Sequence, residues 1–333
     1  MTAVARRTAL RWAFGAAVPA AAGCAPSRTA PIGAGGEGAE KRTAPYVPFD
    51  VTWLIRPKRG RKYLGAAFPG APVPPDGLDA WAGKAGKAPN LFSYRLSWGD
   101  DYGTRQAEAV WSRQMLPYIA WEPVEPTLRE IAEGRDDDYV RRTAVAIRDL
   151  NIPIALSFGR EMNGDWFPWG TRRASAEEFV GAWRHIHDLF QDTGVSNVVW
   201  VWNPAAVAPT PPARLAPYHP GDSYIDWLGL SGYYTGAGPH TFATLFAPTI
   251  KAVRKFSRAP VLIAETAAEP SGRKPADIGD LLHAVTTRRD VVGFVWSDAH
   301  QETDWRIDSS PEALAAFRRG VADARFGFDV RRP

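Results

Sequence analysis

Ile152-Pro-Ile-Ala-Leu-Ser-Phe158, then Ser175 to Phe190, then Asn197-Val-Val-Trp-Val-Trp202 set the frame in which the rest of the chain is read. The first and third pieces are apolar runs of strand length. Unbroken rather than alternating hydrophobicity marks strands covered on both faces in a parallel sheet. The middle piece opens with Ser175-Ala-Glu-Glu178, a serine followed three residues later by glutamate, which predicts a helix start. Phe179, Trp183, Ile186 and Phe190 then recur at helical spacing. Strand, helix and strand in that order make a βαβ unit.

The same alternation extends in both directions. Further strand runs are Tyr63 to Phe68, Leu91 to Trp98, Leu116 to Trp121, Ile225 to Ser231, Val261 to Ala264 and Val291 to Trp296. Helical patterns cover Asp138 to Leu150, Thr241 to Phe256 and Ser310 to Arg319. Eight strands alternating with helices over about 270 residues predict a single-domain α/β fold, a (β/α)8 TIM barrel, whose usual size is about 250 residues. An open doubly wound sheet accommodates the same order. It would require a Gly-rich phosphate turn after the first strand, where Phe68-Pro69-Gly70-Ala71-Pro72 stands instead.

The 333 residues divide into a leader and a domain. Arg6, Arg7 and Arg11 precede a short apolar stretch, Trp12 to Ala22, too short to span a bilayer; residues 1–24 read as a signal peptide of twin-arginine or lipoprotein type. Cys24 is the only cysteine, and Ala21-Ala22-Gly23-Cys24 resembles a lipobox in which it would be lipidated; incidental cleavage in the Ala-rich stretch is the alternative. Residues 25–45, rich in Ala, Gly, Pro and Ser, read as a flexible tether, leaving 46–333 for the barrel. Export, with a membrane contact only through the lipid, is the expected setting.

Charge excludes one class of partner. Met1 to Lys62 carries 11 basic and 3 acidic residues, the remainder 29 and 33, so the folded part lacks the cationic surplus of a nucleic-acid binder. Metal or cofactor chemistry is not expected, since the six histidines are scattered and His185 and His187, two apart, face different ways. No Gly-x-Ser-x-Gly elbow is present for a serine nucleophile. A monomer is expected.

Active sites of (β/α)8 barrels form at the C-terminal ends of the strands. Glu161 follows the fourth strand and Glu265 closes the seventh, on facing sides of an eight-stranded ring. A carboxyl pair is what cleavage of a glycosidic bond requires, and the separation of the two decides between retention and inversion. Each taken alone could also be a structural carboxylate, Glu161 paired with Arg160. Tryptophans gather at the same ends: Trp98, Trp121, Trp166, Trp169, Trp202 and Trp296, with Trp166 and Trp169 expected to stand exposed in the cleft. Flat aromatic faces suit the C–H faces of pyranose rings. Glu122, Asn203, Tyr233, Tyr234, Ser297, Asp298 and His300 complete the expected rim. Rim packing is the other role open to Tyr233.

These residues resemble glycoside hydrolase family 26, the β-mannanase family of the retaining (β/α)8 clan. The likeness rests on Arg160-Glu-Met-Asn-Gly-Asp-Trp-Phe-Pro-Trp-Gly170, supported by Val201-Trp-Asn-Pro204, Gly229-Leu-Ser-Gly-Tyr233 and Ile263-Ala-Glu-Thr266, and runs from about Tyr63 to Phe317. It implies that Glu161 is the general acid/base and Glu265 the nucleophile of a double displacement. It further implies that Trp166 and Trp296 hold sugar beside the cleavage point and that Tyr233 contacts Glu265. The family includes β-1,4-mannanases, mixed-linkage β-glucanases and β-1,3-xylanases. Where it usually has histidine before the acid/base, this chain has Arg160. A guanidinium there would favour the ionised form of Glu161, unless it points toward Glu122 or an anionic substituent of the substrate. A polysaccharide hydrolase is the resulting expectation; a surface protein that binds polysaccharide without turnover is the competing one.

Overall fold

Each of the eight apolar runs forms a strand within two residues of its expected place. They are β1 (Tyr63–Ala67), β2 (Leu91–Ser97), β3 (Leu116–Glu122), β4 (Ile154–Phe158), β5 (Val198–Trp202), β6 (Trp227–Ser231), β7 (Val261–Thr266) and β8 (Val291–Ser297). All pair in parallel and in sequence order, and β8 returns to β1 to close the barrel. The computed structural model describes residues 47–332 apart from 73, 75, 208–213 and 239. The leader, the tether and Cys24 lie outside the described residues.

The short helix α1 (Thr52–Ile55) precedes β1, and α2 (Asp76–Ala85) and α3 (Thr104–Ser112) follow β1 and β2. After β3 come α4 (Leu128–Ala132) and α5 (Asp137–Leu150), after β4 comes α6 (Ala176–Asp192), and after β6 come α7 (Phe242–Leu245) and α8 (Ala247–Val253). The helices α9 (Lys274–Thr287) and α10 (Pro311–Val321) follow β7 and β8. The capping box at α6 forms as read: the Ser175 hydroxyl accepts from Glu178 N while the Glu178 carboxylate accepts from Ser175 N. Where one helix is predicted over Thr241 to Phe256 there are two. Pro248 lacks the N–H a continuous helix needs and crowds the carbonyl four residues back, so the chain breaks at Phe246. Among the described residues the β5–β6 connection carries only two 3-10 turns, Ala216–Tyr218 and Asp222–Tyr224.

Side chains alternate between two buried layers, as strand geometry demands. Leu116 and Tyr118 of β3, Val199 and Val201 of β5, and Leu262 of β7 fill the barrel. Ile119, Trp121, Leu156, Phe158, Trp202 and Trp296 face the helices. Leu54 of α1 belongs to the inner layer, and its carbonyl accepts from the Tyr63 hydroxyl at 2.8 Å. The Trp227 indole N–H reaches Ile55 O at 2.9 Å. The end of the barrel opposite the strand C-termini is therefore stoppered by α1.

One strand breaks the alternation. Gly229 and Ser231 of β6 pair with Leu262 and Glu265 of β7, so β7 spends three residues where β6 spends two. Against β8 the same surplus appears, with Ile263 and Thr266 opposite Phe294 and Trp296. This extra residue is a β-bulge. It returns Glu265 to the inward side shared by Leu262, which a regular strand would deny it.

Candidate active site

The site grows from the inward-facing residues at the strand C-termini: Arg95 on β2, Glu122 on β3, Asn203 after β5, Ser231 on β6 and Glu265 on β7. The turn after β4 supplies the rest. Gly159 and Glu161 both adopt positive φ, +54° and +56°. That conformation is natural for glycine and costs a glutamate roughly 1–3 kcal/mol, so its surroundings must impose it. They do so through the backbone: Gly159 N donates to Trp121 O at 3.0 Å and Glu161 N to Asn203 O at 2.6 Å. The Asn163 side chain straps the same turn to β5, donating to Ala205 O at 3.0 Å and accepting from Ala205 N at 2.8 Å.

Arg160 is the hub. Its Nε donates to Glu122 at 3.0 Å, and its Nη1 donates to Glu161 Oε1 at 3.1 Å and to Glu265 Oε2 at 3.0 Å. Phe167 covers the guanidinium face at 4.7 Å, and the residue is 3% exposed. The two glutamates therefore meet: their facing oxygens cannot lie farther apart than those two Nη1 contacts laid end to end. Arg95 adds a second cation, its Nε 3.6 Å from Glu122. The other oxygen of Glu265 accepts a hydrogen bond from the Tyr233 hydroxyl, and the Trp166 indole N–H donates to Glu161 Oε2 at 2.8 Å.

The two carboxyl groups are pushed in opposite directions. Burial raises the pKa of Glu161, and the charge of Glu265 adds to that, outweighing the nearby Arg160. Burial also acts on Glu265, but Arg160, Arg95 and the Tyr233 hydroxyl together outweigh it and hold this carboxyl below its ordinary value. Around Arg160, burial opposes the charge and the three carboxylates more than restore it. One carboxyl is thus pushed toward its protonated form and the other toward its ionised form, the direction of difference that paired-carboxyl chemistry requires.

Several expected sugar contacts fall elsewhere. Trp121 is fully buried against Trp98, Phe158 and Phe190, its N–H on the Tyr139 hydroxyl at 3.2 Å; as an odd-numbered member of β3 it faces the helices, opposite to Glu122. Trp296 is likewise fully buried, packed on Phe317 of α10 with its N–H on Trp305 O at 3.0 Å. Trp169, expected in the open cleft, is 3% exposed; it lies stacked under Phe167 at 4.6 Å and donates to Arg160 O at 2.8 Å. Asp298 is turned into its own loop, accepting from Ile307 N at 2.6 Å and pairing with Lys84. Asn203 is buried beneath the glutamates, between the Tyr118 and Ser231 hydroxyls, supporting the site without facing a ligand. Tyr234 is buried too, its hydroxyl on Asp280.

Two residues went unremarked in the sequence. Arg95 sits inside a run read only as a strand, where its inward parity was the available signal. Trp305 lies half-buried in the loop after β8, its ring 5.0 Å from Tyr233. Its signal was the polar company of Gln301-Glu-Thr-Asp304, the same kind of context that drew attention to Trp166. Lys274 fixes that loop by donating to Asp304 O at 3.0 Å and Arg306 O at 2.8 Å.

The sequence profile of glycosyl hydrolase family 26 matches residues 133–309, more than half of the chain. The chain belongs to glycosyl hydrolase family 26. The family 26 chain is 32% identical over 250 residues to Endoglucanase H of Acetivibrio thermocellus, covering 71% of this chain and 28% of that protein. It is 24% identical over 180 residues to the mannan endo-1,4-β-mannosidase A and B of Caldalkalibacillus mannanilyticus, covering 51% of this chain and 31% of that protein. It thus spans less than a third of the length of these curated relatives. In fold it is similar to the catalytic domain of the Bacillus sp. JAMB-750 GH26 endo-β-1,4-mannanase, with a TM-score of 0.64 at 15% identity, covering 82% of this chain and 89% of that one.

Proposed function

We propose that this family 26 protein is a retaining endo-β-glycanase that cleaves an uncharged β-linked polysaccharide by double displacement. The observation that carries this reading is the shared Nη1 donor of Arg160, which brings an oxygen of Glu161 and an oxygen of Glu265 to within 3.1 and 3.0 Å of one atom. That spacing suits the roughly 5–5.5 Å carboxyl separation of retaining enzymes better than the 6.5–9.5 Å that leaves room for an inverting water. In the first step Glu265 attacks the anomeric carbon, the glycosidic bond breaks, and Glu161 gives its proton to the departing oxygen. In the second, water attacks the same carbon, its proton passes to Glu161, and Glu265 leaves as a carboxylate.

An uncharged substrate follows from the charge balance. Arg160 is committed to three internal carboxylates and Arg95 lies beside Glu122, so the site offers no surplus cation for an acidic sugar. Trp166 and Trp305, each only partly buried, present aromatic surface for pyranose rings. Among β-glycans, a β-glucan is the favoured substrate, because the endoglucanase resembles this chain over more of its length than the mannosidase does. The basic and apolar leader with Cys24 supports export and lipid anchoring, where such a polymer would be met.

The test is reducing-sugar release from lichenan, mannan and β-1,3-xylan, with the first product anomer followed by NMR. Release with retained configuration is expected, and Glu265→Ala should abolish it without changing the circular dichroism of the barrel. Glu161→Gln should lower the rate roughly 10²–10⁴-fold. Binding without release would return the chain to the non-catalytic reading, and inverted product would remove Glu265 from the nucleophile's role.

A further inference from the structure

The arginine before Glu161 calls for a reason of its own. Its Nη1 divides between Glu161 and Glu265, while Nε on Glu122 and the Phe167 ring fix the guanidinium from the other sides. The ionisable groups in this pocket are the carboxyls of Glu122, Glu161 and Glu265, the guanidiniums of Arg95 and Arg160, and the hydroxyls of Tyr233 and Tyr118. With the hydroxyls neutral and one proton on the carboxyls, two cations balance two anions.

Follow that balance through the double displacement proposed above, on which this inference rests. Before reaction the proton sits on Glu161 and the negative charge on Glu265. Once Glu265 is esterified to the sugar it is neutral, and Glu161, having given its proton to the leaving oxygen, is the anion. The count is unchanged, but the negative charge has crossed from one end of Nη1 to the other. We propose that Arg160 is a positioning residue that serves both half-reactions from one place: its Nη1 compensates Glu265 before the glycosyl-enzyme forms and Glu161 after it. Because the guanidinium bridges both carboxyls already, it need not move as the charge moves. Glu161 is thereby kept ionised as the base that water requires in the second step. An imidazole in this position could offer a cation only while protonated, whereas arginine is charged at every working pH.

The experiment isolates the second half-reaction. In 2,4-dinitrophenyl β-cellobioside and β-mannobioside the leaving group needs no proton, so turnover is limited by hydrolysis of the glycosyl-enzyme. For the full chain, kcat on these substrates should rise with pH as Glu161 in the glycosyl-enzyme ionises. In Arg160→Met that limb should move up by about 1–3 pH units, as expected on losing an opposite charge at contact distance. At mildly acidic pH kcat should fall roughly tenfold or more with kcat/KM less affected, and mass spectrometry should show the glycosyl-enzyme accumulating. Arg160→Lys, which keeps the charge, should restore most of the limb. Glu122→Gln, which removes an anion from Arg160, should move it in the opposite direction and serves as the test should Arg160→Met fail to fold. An unmoved limb, equal losses in kcat and kcat/KM, Arg160→Lys behaving as Arg160→Met, or a Glu122→Gln shift of the wrong sign would each overturn the proposal. Failure of the underlying reading is separate: the unsubstituted protein would then release no dinitrophenol, or would yield the inverted anomer.

Discussion

Gly164 shows how a single hydrogen atom is used in this site. A methyl group there would stand 2.4 Å from the Trp166 ring, so the absence of a side chain is what lets the indole fold back and reach Glu161. Gly164→Ala should push the indole away. The hydrogen bond it forfeits is worth about 1–3 kcal/mol, which corresponds to roughly five- to 150-fold in kcat/KM. Steady-state kinetics alongside the tryptophan emission maximum would check this; unchanged activity with a shifted emission would mean that Glu161 does not need the indole. At this scale the long motif beginning at Arg160 was readable, because glycine, tryptophan and the carboxyl depend on one another locally. The role of Arg160 was only half readable. Its sequence neighbour Glu161 was obvious, but its bonds to Glu122 and Glu265 join residues far apart along the chain.

The strands explain why some tryptophans were misplaced. Trp121, Trp202 and Trp296 stand at the right ends of the right strands, and each is one residue from an inward-facing polar group. A period of two leaves no intermediate: if Glu122, Asn203 and Ser297 look into the barrel, their neighbours look out at the helices. Reading strand ends without their parity therefore gathered core residues into the site. Strand β7 is the reverse case, where parity alone would have turned Glu265 outward and only the bulge restores it. A bulge depends on the register of two neighbouring strands and leaves no mark in a run as short as Val261-Leu-Ile-Ala264. Deleting Ala264 removes the surplus residue and leaves Glu265 two places after Leu262 in a regular strand, inward and still opposite Ser231, so hydrolysis should survive the deletion. A deletion mutant that folds with an unchanged urea-unfolding midpoint but no longer hydrolyses substrate would contradict the bulge's role.

Across the whole molecule, eight recurring apolar runs carried the fold, with helical patterns legible between only some of them. Two buried lysines then tie distant parts together: Lys62 at the β8–β1 seam, donating to Arg288 O and Val291 O, and Lys274 under the Trp305 loop. Burial lowers both to about 8 from the usual 10.5. Between those values the unfolded chain binds more protons than the folded one, so unfolding free energy should rise with pH from about 8 upward. Denaturant titrations at pH 7.5, 8.5 and 9.5 should show that rise, and it should shrink in Lys274→Met; a flat profile would mean the two amines titrate normally. The stopper at Leu54 has a different consequence. A cup with a single rim admits water by the doorway through which the severed glycan departs. A departing chain that lingers keeps water out and leaves its own hydroxyl nearest the trapped sugar, so if the cup cuts polymers as proposed it would, in a crowded sugar solution, also splice them.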